Sequence, residues 1–447
     1  MASILSPAEG LRVGHFSPLL SLPDSTPAAN VYTGDMLHAH RWLLTRDFAF
    51  MWWSQVLSQV AEGISKLALL WFVYAVTGSP LKTTVIGLLQ TLPPILFGPF
   101  IGVIVDRLPK KAILIVSDVA RGLLIGLIPC LVSIENFTVE ALYVLTFLFG
   151  VATAVFVPTL SSAVPFMVAR PQFTAANALL QSTTSLGIII GPAVSGIGIA
   201  FSGSQDVLCL NALTYFASAA CLLPIRLRGT NQAVNESAGW RPFIRHLVEG
   251  LRYAFLTHRT LLILIVLASV YTFGSGAFTT LFPVFGRQLL GLGPVEVGYL
   301  WSWLGVGFLL ASIGLIRLSA WNLARRLQAI AASCAVAGLA VVGLTWTDSF
   351  GMASAYVACI GIGLGTWTPI AWGIIQEVAP PGMVGRVMAV YTAMATATSM
   401  LGMSAFGWVA ESFGSIASIV GIGGVMGVLA GGTAWFRGWT RRETHSM

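Results

Sequence analysis

Charge is scarce in this chain. Only 9% of its 447 residues are Asp, Glu, Lys or Arg, against about a quarter in a soluble globular protein, which excludes a water-exposed surface over most of the molecule. Cysteine is sparse too. Cys130, Cys209, Cys221, Cys334 and Cys359 stand in apolar stretches without C-x-x-C spacing, so they read as small core residues and not as a disulfide framework or metal centre. The chain has no G-x-x-x-x-G-K-[ST] phosphate loop, no hydrolase elbow and no H-E-x-x-H motif, and so lacks the residues those chemistries need. The expectation is a protein that is not an enzyme and takes no cofactor or metal.

Apolar residues and glycine are what the chain does have: 56% is hydrophobic, 47 residues are Gly, and the mean hydropathy is +0.83. A bilayer is crossed by about 20 apolar residues in a helix. Twelve such runs follow Asp47, expected at 48–77, 82–105, 112–134, 140–168, 174–200, 206–224, 260–286, 295–317, 327–347, 351–378, 385–410 and 415–436. The expected fold is an all-α integral membrane protein with twelve transmembrane helices. Residues 1–45, with Pro7, Pro18, Pro23 and Pro27 and no basic start before an apolar core, are expected to be a disordered cytoplasmic tail.

The net charge of +7 needs no nucleic-acid partner, because the basic residues sort by side. Twenty of the 24 fall in the tails and even-numbered loops, and only Lys82 and Arg287 on the opposite side. The positive-inside rule then puts both termini in the cytoplasm of a multi-pass membrane protein. The two remaining cations, Lys66 and Arg121, fall inside predicted helices.

The longest internal break, 225–259, divides the helices into six and six, giving expected halves at 46–224 and 260–437 and a short cytoplasmic tail at 438–447. Within the break, Phe243, Ile244, Leu247, Val248, Leu251, Ala254 and Phe255 recur at helical spacing opposite Arg245, His246, Glu249 and Arg252, the pattern of an amphipathic helix at a membrane interface. A solvated connector has the same composition. A shift of 211 residues superposes Gly150 on Gly361, Pro158 on Pro369, Gly191 on Gly402 and Gly196 on Gly407, which suggests two parallel six-helix repeats around a central cavity.

Between the second and third spans, Gly102 is followed by Asp106-Arg107 and Lys110-Lys111. The glycine permits close helix approach, and the aspartate can hold charges or a helix N-terminus. The stretch G-V-I-V-D-R-L-P-K-K resembles the cytoplasmic signature G-x-x-x-D-R-x-x-[RK]-[RK] of the major facilitator superfamily. The resemblance implies that it acts as a latch between the halves. The loop after the eighth span keeps Gly314 and Arg325-Arg326 but lacks the Asp-Arg pair. In the fifth span, Gly187, Gly191, Pro192 and Gly196 resemble the later part of the signature of proton-coupled antiporters, G-x-x-x-G-P-x-x-G-G, with Ser195 in place of one glycine. Generic packing of small residues yields the same pattern.

Thr77-Gly78-Ser79-Pro80, Ala176-Asn177-Ala178, Glu249-Gly250-Leu251-Arg252-Tyr253 and Gly385-Arg386-Val387-Met388 extend the likeness toward the branch of enterobactin exporters and macrolide efflux proteins. That resemblance implies proton-coupled export of a small amphipathic molecule, a siderophore or a drug such as a macrolide, by alternating access. A lysophospholipid flippase is the alternative, and a non-transporting sensor or scaffold a third reading. The implied partners are cargo, proton and the lipid bilayer of the bacterial inner membrane; a monomer is the expectation, with the oligomeric state left open by the sequence.

In the first span, Gln55, Gln59, Glu62 and Lys66 step by four, three and four, along one helix face. Ionisable groups inside a bilayer line cavities or pair with each other, so these four are the proton and substrate candidates; a structural Glu62–Lys66 pair is the plainer reading. Asp118 and Arg121, spaced i, i+3 in the third span, read as a structural pair supporting the neighbouring latch. Trp71, Tyr271, Trp367 and Trp372 are candidate aromatic walls for cargo.

Overall fold

The computed structural model describes residues 46–132, 138–168, 173–226, 244–245, 248–249, 251–253, 259–318, 322–347, 349–380 and 383–445. The expected tail at 1–45 lies outside the described residues. Ten helices are readily named: α1 Arg46–Thr77, α2 Pro80–Arg107, α3 Lys110–Val132, α4 Val139–Ala163, α7 Arg259–Leu290, α8 Pro294–Leu318, α9 Leu323–Gly343, α10 Phe350–Val378, α11 Val384–Phe413 and α12 Ser415–His445. The long stretch Phe173–Leu222 breaks at Gly203, where φ is 87°, and so supplies α5 (173–202) and α6 (204–222). Only glycine adopts that backbone without a steric penalty. These twelve helices among the described residues agree with the twelve apolar runs. α12 continues to His445, so the expected C-terminal tail is helical through most of its length. In the connector, 244–245, 248–249 and 251–253 are helical, with Ile244, Val248 and Leu251 exposed and Glu249 paired to Arg386 of α11 at 2.8 Å. The cysteines are less uniformly internal than expected: Cys334 is buried, while Cys130 and Cys209 are exposed.

Local chemistry sets the helix starts. Ser79 caps α2 by accepting from the Lys82 N–H, with Pro80 just inside, and Asn322 caps α9 by accepting from the Arg325 N–H. Both are preferred N-terminal arrangements.

The 211-residue repeat is a repeat of packing. Gly150 of α4 abuts the Leu89 carbonyl of α2, and Gly361 of α10 abuts the Leu304 carbonyl of α8. Gly191 of α5 meets Gly63 of α1, while Gly402 of α11 meets Phe273 of α7. Gly196 of α5 meets Pro294 and Gly298 of α8, and Gly407 of α11 meets Thr84 of α2. Each contact recurs six helices later, the last pair crossing between the halves in both directions. Gly203, with φ 87°, has its repeat partner in Gly414, with φ 86°, so both halves turn from fifth to sixth helix by one device.

The halves join along α5–α8 and α2–α11. Contact is dense at the end carrying the α1–α2 and α7–α8 turns. It gives out at the other end, where nothing lies within 4 Å of a Cβ built on Gly98 or Gly102 and where Phe97 and Phe100 are exposed. The molecule is thus open toward the α2–α3 turn.

A Cβ on Gly191 would lie 2.7 Å from the Gly63 Cα, a backbone atom that cannot move aside. Gly191→Leu is expected to lower stability by about 1–3 kcal/mol through overpacking, whereas Gly98→Leu is expected to stay within about 0.5 kcal/mol. Thermal unfolding of the purified variants in detergent checks the difference.

Candidate functional site

α1 is the organising helix of the N-terminal half, and it places the four predicted residues in different surroundings. Glu62 and Lys66 line a cavity of about 200 Å³ together with Ser65, Gln90, Thr91, Phe149, Gly150 and Thr153, from α1, α2 and α4. Glu62 is half-buried and Lys66 exposed to the cleft. No ion pair within 4 Å joins them among the described residues, and the Lys66 ammonium instead sits 5.7 Å from the centre of the Trp301 ring of α8, within cation–π range. Lys66 therefore reaches across to the other half. Gln55 is buried at 3% exposure, and its Oε1 has no hydrogen-bond partner. Gln59 is half-buried, its backbone packed under Gly187. Gln55 and Gln59 are not among the residues lining this cavity.

The neighbouring face of α1 carries a polar network that spacing arguments missed. Asp118 and Arg121 of α3 form a salt bridge with 0% and 1% side-chain exposure. The Asp118 carboxylate also accepts from Ser218 of α6 at 2.7 Å and Ser58 of α1 at 3.4 Å, and Arg121 donates to Ser58 at 3.0 Å. Ser54 and Ser218 meet at 2.9 Å, and Asn211 of α6 donates to Ser65 of α1 at 2.6 Å. Serines 54, 58 and 65 thus run antiparallel along Ser218, Tyr215 and Asn211. Arg121 also packs over the rings of Phe156, at 4.2 Å, and Tyr215, at 4.9 Å. These bonds bind α1, α3, α4 and α6 into one block, and none of those named goes to the α2–α3 turn that Asp118 and Arg121 were expected to support. Ser54, Ser58 and Ser65 step by four and seven along α1, and Asn211, Tyr215 and Ser218 by four and three along α6; each set shares a helix face, and that was the available signal.

Of the predicted latch, Gly102 faces open space and Arg107 is exposed; the Asp106 side chain lies outside the described residues. Lys110 is buried with its ammonium 5.3 Å from the Phe166 ring, and Lys111 donates to the Leu223 carbonyl beyond α6 at 2.6 Å. Both lysines thus secure α3 within its own half. The fifth-helix motif divides its labour: Gly187 and Gly191 seat α5 on α1, while Pro192 and Gly196 meet Gly298 of α8. Ser302 of α8 adds a bond to the Ile189 carbonyl at 2.5 Å.

At the joined end, Glu411 of α11 accepts from the Ser79 hydroxyl at 2.8 Å and the Leu81 N–H at 3.3 Å. A carboxylate thereby sits at the positive N-terminus of α2. Arg287 of α7 lies 5.5 Å from the Trp71 ring and 5.8 Å from that of Tyr74. Three of the four candidate cargo walls, Trp71, Tyr271 and Trp367, are core instead. Trp367 is fully buried, stacked on Tyr271 at 5.3 Å and donating to the Tyr391 hydroxyl at 3.0 Å. Trp71 is buried at 8% and Trp372 exposed at 43%.

A two-half helical membrane protein with mirrored α5–α8 and α2–α11 seams now has its counterparts. Residues 51–403 match the Major Facilitator Superfamily. The chain belongs to that family. It is 27% identical over 371 residues to the multidrug efflux pump Tap of Mycolicibacterium fortuitum, covering 81% of this chain and 88% of the relative. It is 24% identical over 342 residues to macrolide efflux protein A of Streptococcus pyogenes, covering 76% and 83%. In fold it resembles a bacterial homologue of the human lysosomal transporter Spinster, solved inward-facing and unoccupied, with a TM-score of 0.67, 12% identity and coverage of 87% and 96%. The nucleoside transporter NupG gives the same TM-score and identity, with coverage of 87% and 98%. This superfamily member is therefore a multi-pass membrane protein of transporter fold whose polar interior is concentrated around α1.

Arg121→Ala would leave the Asp118 charge buried without its counter-ion. It is expected to cost about 3–5 kcal/mol, and Ser218→Ala about 1.5–3 kcal/mol as the loss of one bond to a charged group, both read from thermal unfolding in detergent.

Proposed function

We propose that this protein exports a small amphipathic molecule of the drug or macrolide type in exchange for protons, by alternating access of its two six-helix halves. The observation that carries the reading is the polar cavity in which Glu62 and Lys66 stand unpaired with each other in the middle of a membrane-spanning helix. Ionisable groups at that depth are costly and mark ion or substrate paths. Glu62 is the proton carrier in this scheme. Lys66 orients cargo and, through Trp301, senses the other half. The names of the relatives, a multidrug pump and a macrolide efflux protein, favour drug-like cargo over a siderophore.

The positive-inside bias of the sequence assigns the open end to the cytoplasm. The cleft then faces the compartment from which an exporter loads. Glu411 on the α2 N-terminus and Arg287 over Trp71 and Tyr74 hold the outer end shut, and the Gly102–Asp106–Arg107 signature closes the inner end when the halves rock.

One feature favours the lysophospholipid alternative. An apolar groove of about 720 Å³ lies between α7, α11 and α12, lined by Val266, Phe273, Met394, Val425 and Val428 among others. Val266 and Val428 are more than half exposed, so the groove opens outward and could admit an acyl chain.

Macrolide added to inverted membrane vesicles is expected to release a proton gradient with the wild type, and Glu62→Gln is expected to reduce that flux at least tenfold while leaving expression unchanged. Lysophospholipid movement without proton flux, unaltered by Glu62→Gln, would replace the reading with the flippase. Glu411→Ala is expected to favour the outward-open state, seen by spin-label distances as a wider separation between the start of α2 and the end of α11; an unchanged distance distribution would remove Glu411 from the gate.

A further inference from the structure

Buried polar atoms without a hydrogen-bond partner gather in the N-terminal half. Among the described residues outside the connector and α12 they are Gln55 Oε1, Arg121 Nε, Thr146 Oγ1, Thr153 Oγ1, Asn211 Oδ1 and the Tyr215 hydroxyl. Each such group costs about 1–3 kcal/mol if left unsatisfied. Native structures satisfy nearly all of them with protein or with ordered water.

Three of the six share one seam. Asn211 and Tyr215 are four residues apart and so lie on one face of α6, exposed at 1% and 0%, with Arg121 at 1%. Asn211 spends its amide N–H on Ser65 at 2.6 Å, which leaves its carbonyl oxygen free to accept. The Tyr215 hydroxyl faces Ser65 without meeting hydrogen-bond geometry. Its ring is held between the Arg121 guanidinium at 4.9 Å and the Phe149 ring at 6.0 Å. Ser65 and Phe149 are themselves walls of the Glu62–Lys66 cavity. One donor, one acceptor and one hydroxyl that can do both therefore stand behind that cavity, a complement that suits bound water, which typically makes about three bonds to otherwise unsatisfied groups.

We infer that water is bound inside the N-terminal half between α1, α3 and α6, held by the Tyr215 hydroxyl, Asn211 Oδ1 and Arg121 Nε, and that it continues the Glu62–Lys66 cavity past Ser65 to the Asp118–Arg121 pair. The hydration stands apart from transport. Its use, giving protons from the cavity a route to a second carboxylate at Asp118, rests on the proton-coupled reading above.

Hydroxyl-radical labelling of the full chain in detergent, with radicals generated from the water itself, tests the hydration without any transport assay. Tyr271 is the internal control: it is also buried, at 8%, but its hydroxyl donates to the Leu364 carbonyl at 2.9 Å. Tyr215 is expected to be modified at least fivefold faster than Tyr271. Equal protection of the two tyrosines overturns the inference even if Glu62→Gln abolishes proton flux. Tyr215→Phe provides a second reading, because it deletes the hydroxyl alone. A fall in the unfolding midpoint is expected if that hydroxyl binds water; an unchanged or raised midpoint means it had no partner to lose and sinks the proposal.

Discussion

The fifth helix can belong to one half and bear on the other because three of its positions carry no side chain. Gly187 and Gly191 bring its backbone against α1, and Gly196 brings it against α8. Apolar side chains gain nothing by leaving lipid for another apolar surface, so helix association in a bilayer depends on close packing and interhelical hydrogen bonds. The Gly63–Gly191 and Gly196–Gly298 approaches supply the first, and the Ser302 bond to the Ile189 carbonyl the second. The repeat builds the corresponding seam from Gly402 against α7 and Gly407 against α2. In the proposed rocking motion such smooth backbone surfaces would let the halves tilt against each other, since they impose few interlocking side chains on the interface.

Polarity is divided unequally over this symmetric frame. The N-terminal half encloses an ion pair, a serine ladder and the cavity of Glu62 and Lys66. At its centre the C-terminal half has the Tyr271–Trp367 stack with its bond to Tyr391. An aromatic cluster with its polar tips satisfied gives a stiff block, and a buried charge network whose members bond four helices gives another. Among the described residues, the N-terminal block also carries the ionisable pair Glu62 and Lys66 on its cavity. On the proposed reading this asymmetry would put ion chemistry in one half and leave the other to present surface.

The helices were legible in the sequence because lipid imposes a length and an apolar composition that few other constraints imitate. The break between α5 and α6 fell between the expected spans at 200 and 206, and Gly203 proved to be the residue that makes it. The stripe Gln55, Gln59, Glu62, Lys66 was legible only in part. Helical spacing placed the four on one face, but α1 is enclosed on several sides, so the same face passes from the buried Gln55 to the cleft-facing Lys66. The serine ladder left little mark, since Ser54, Ser58 and Ser65 are short side chains whose meaning depends on α6 lying opposite. Trp367 and Tyr271 were read as cargo walls from residue type alone; their side chains turn into the half that carries them.

The latch signature shows why a motif and its contact are separate matters. Gly102, Asp106 and Arg107 were recognisable as sequence, yet a Cβ on Gly102 would meet open space, and Lys110 and Lys111 are engaged inside their own half. At the opposite end of the same α2–α11 pair, Glu411 occupies the N-terminus of α2. The helices run antiparallel, so the end of α2 lies toward the start of α11 as the end of α11, with Glu411, lies toward the start of α2. A carboxylate at a helix N-terminus is favourable by about 0.3–1 kcal/mol, up to about 2 where partly buried. Each end would then be held by a comparably modest interaction, strong enough to bias one state and weak enough for cargo or a proton to reverse it.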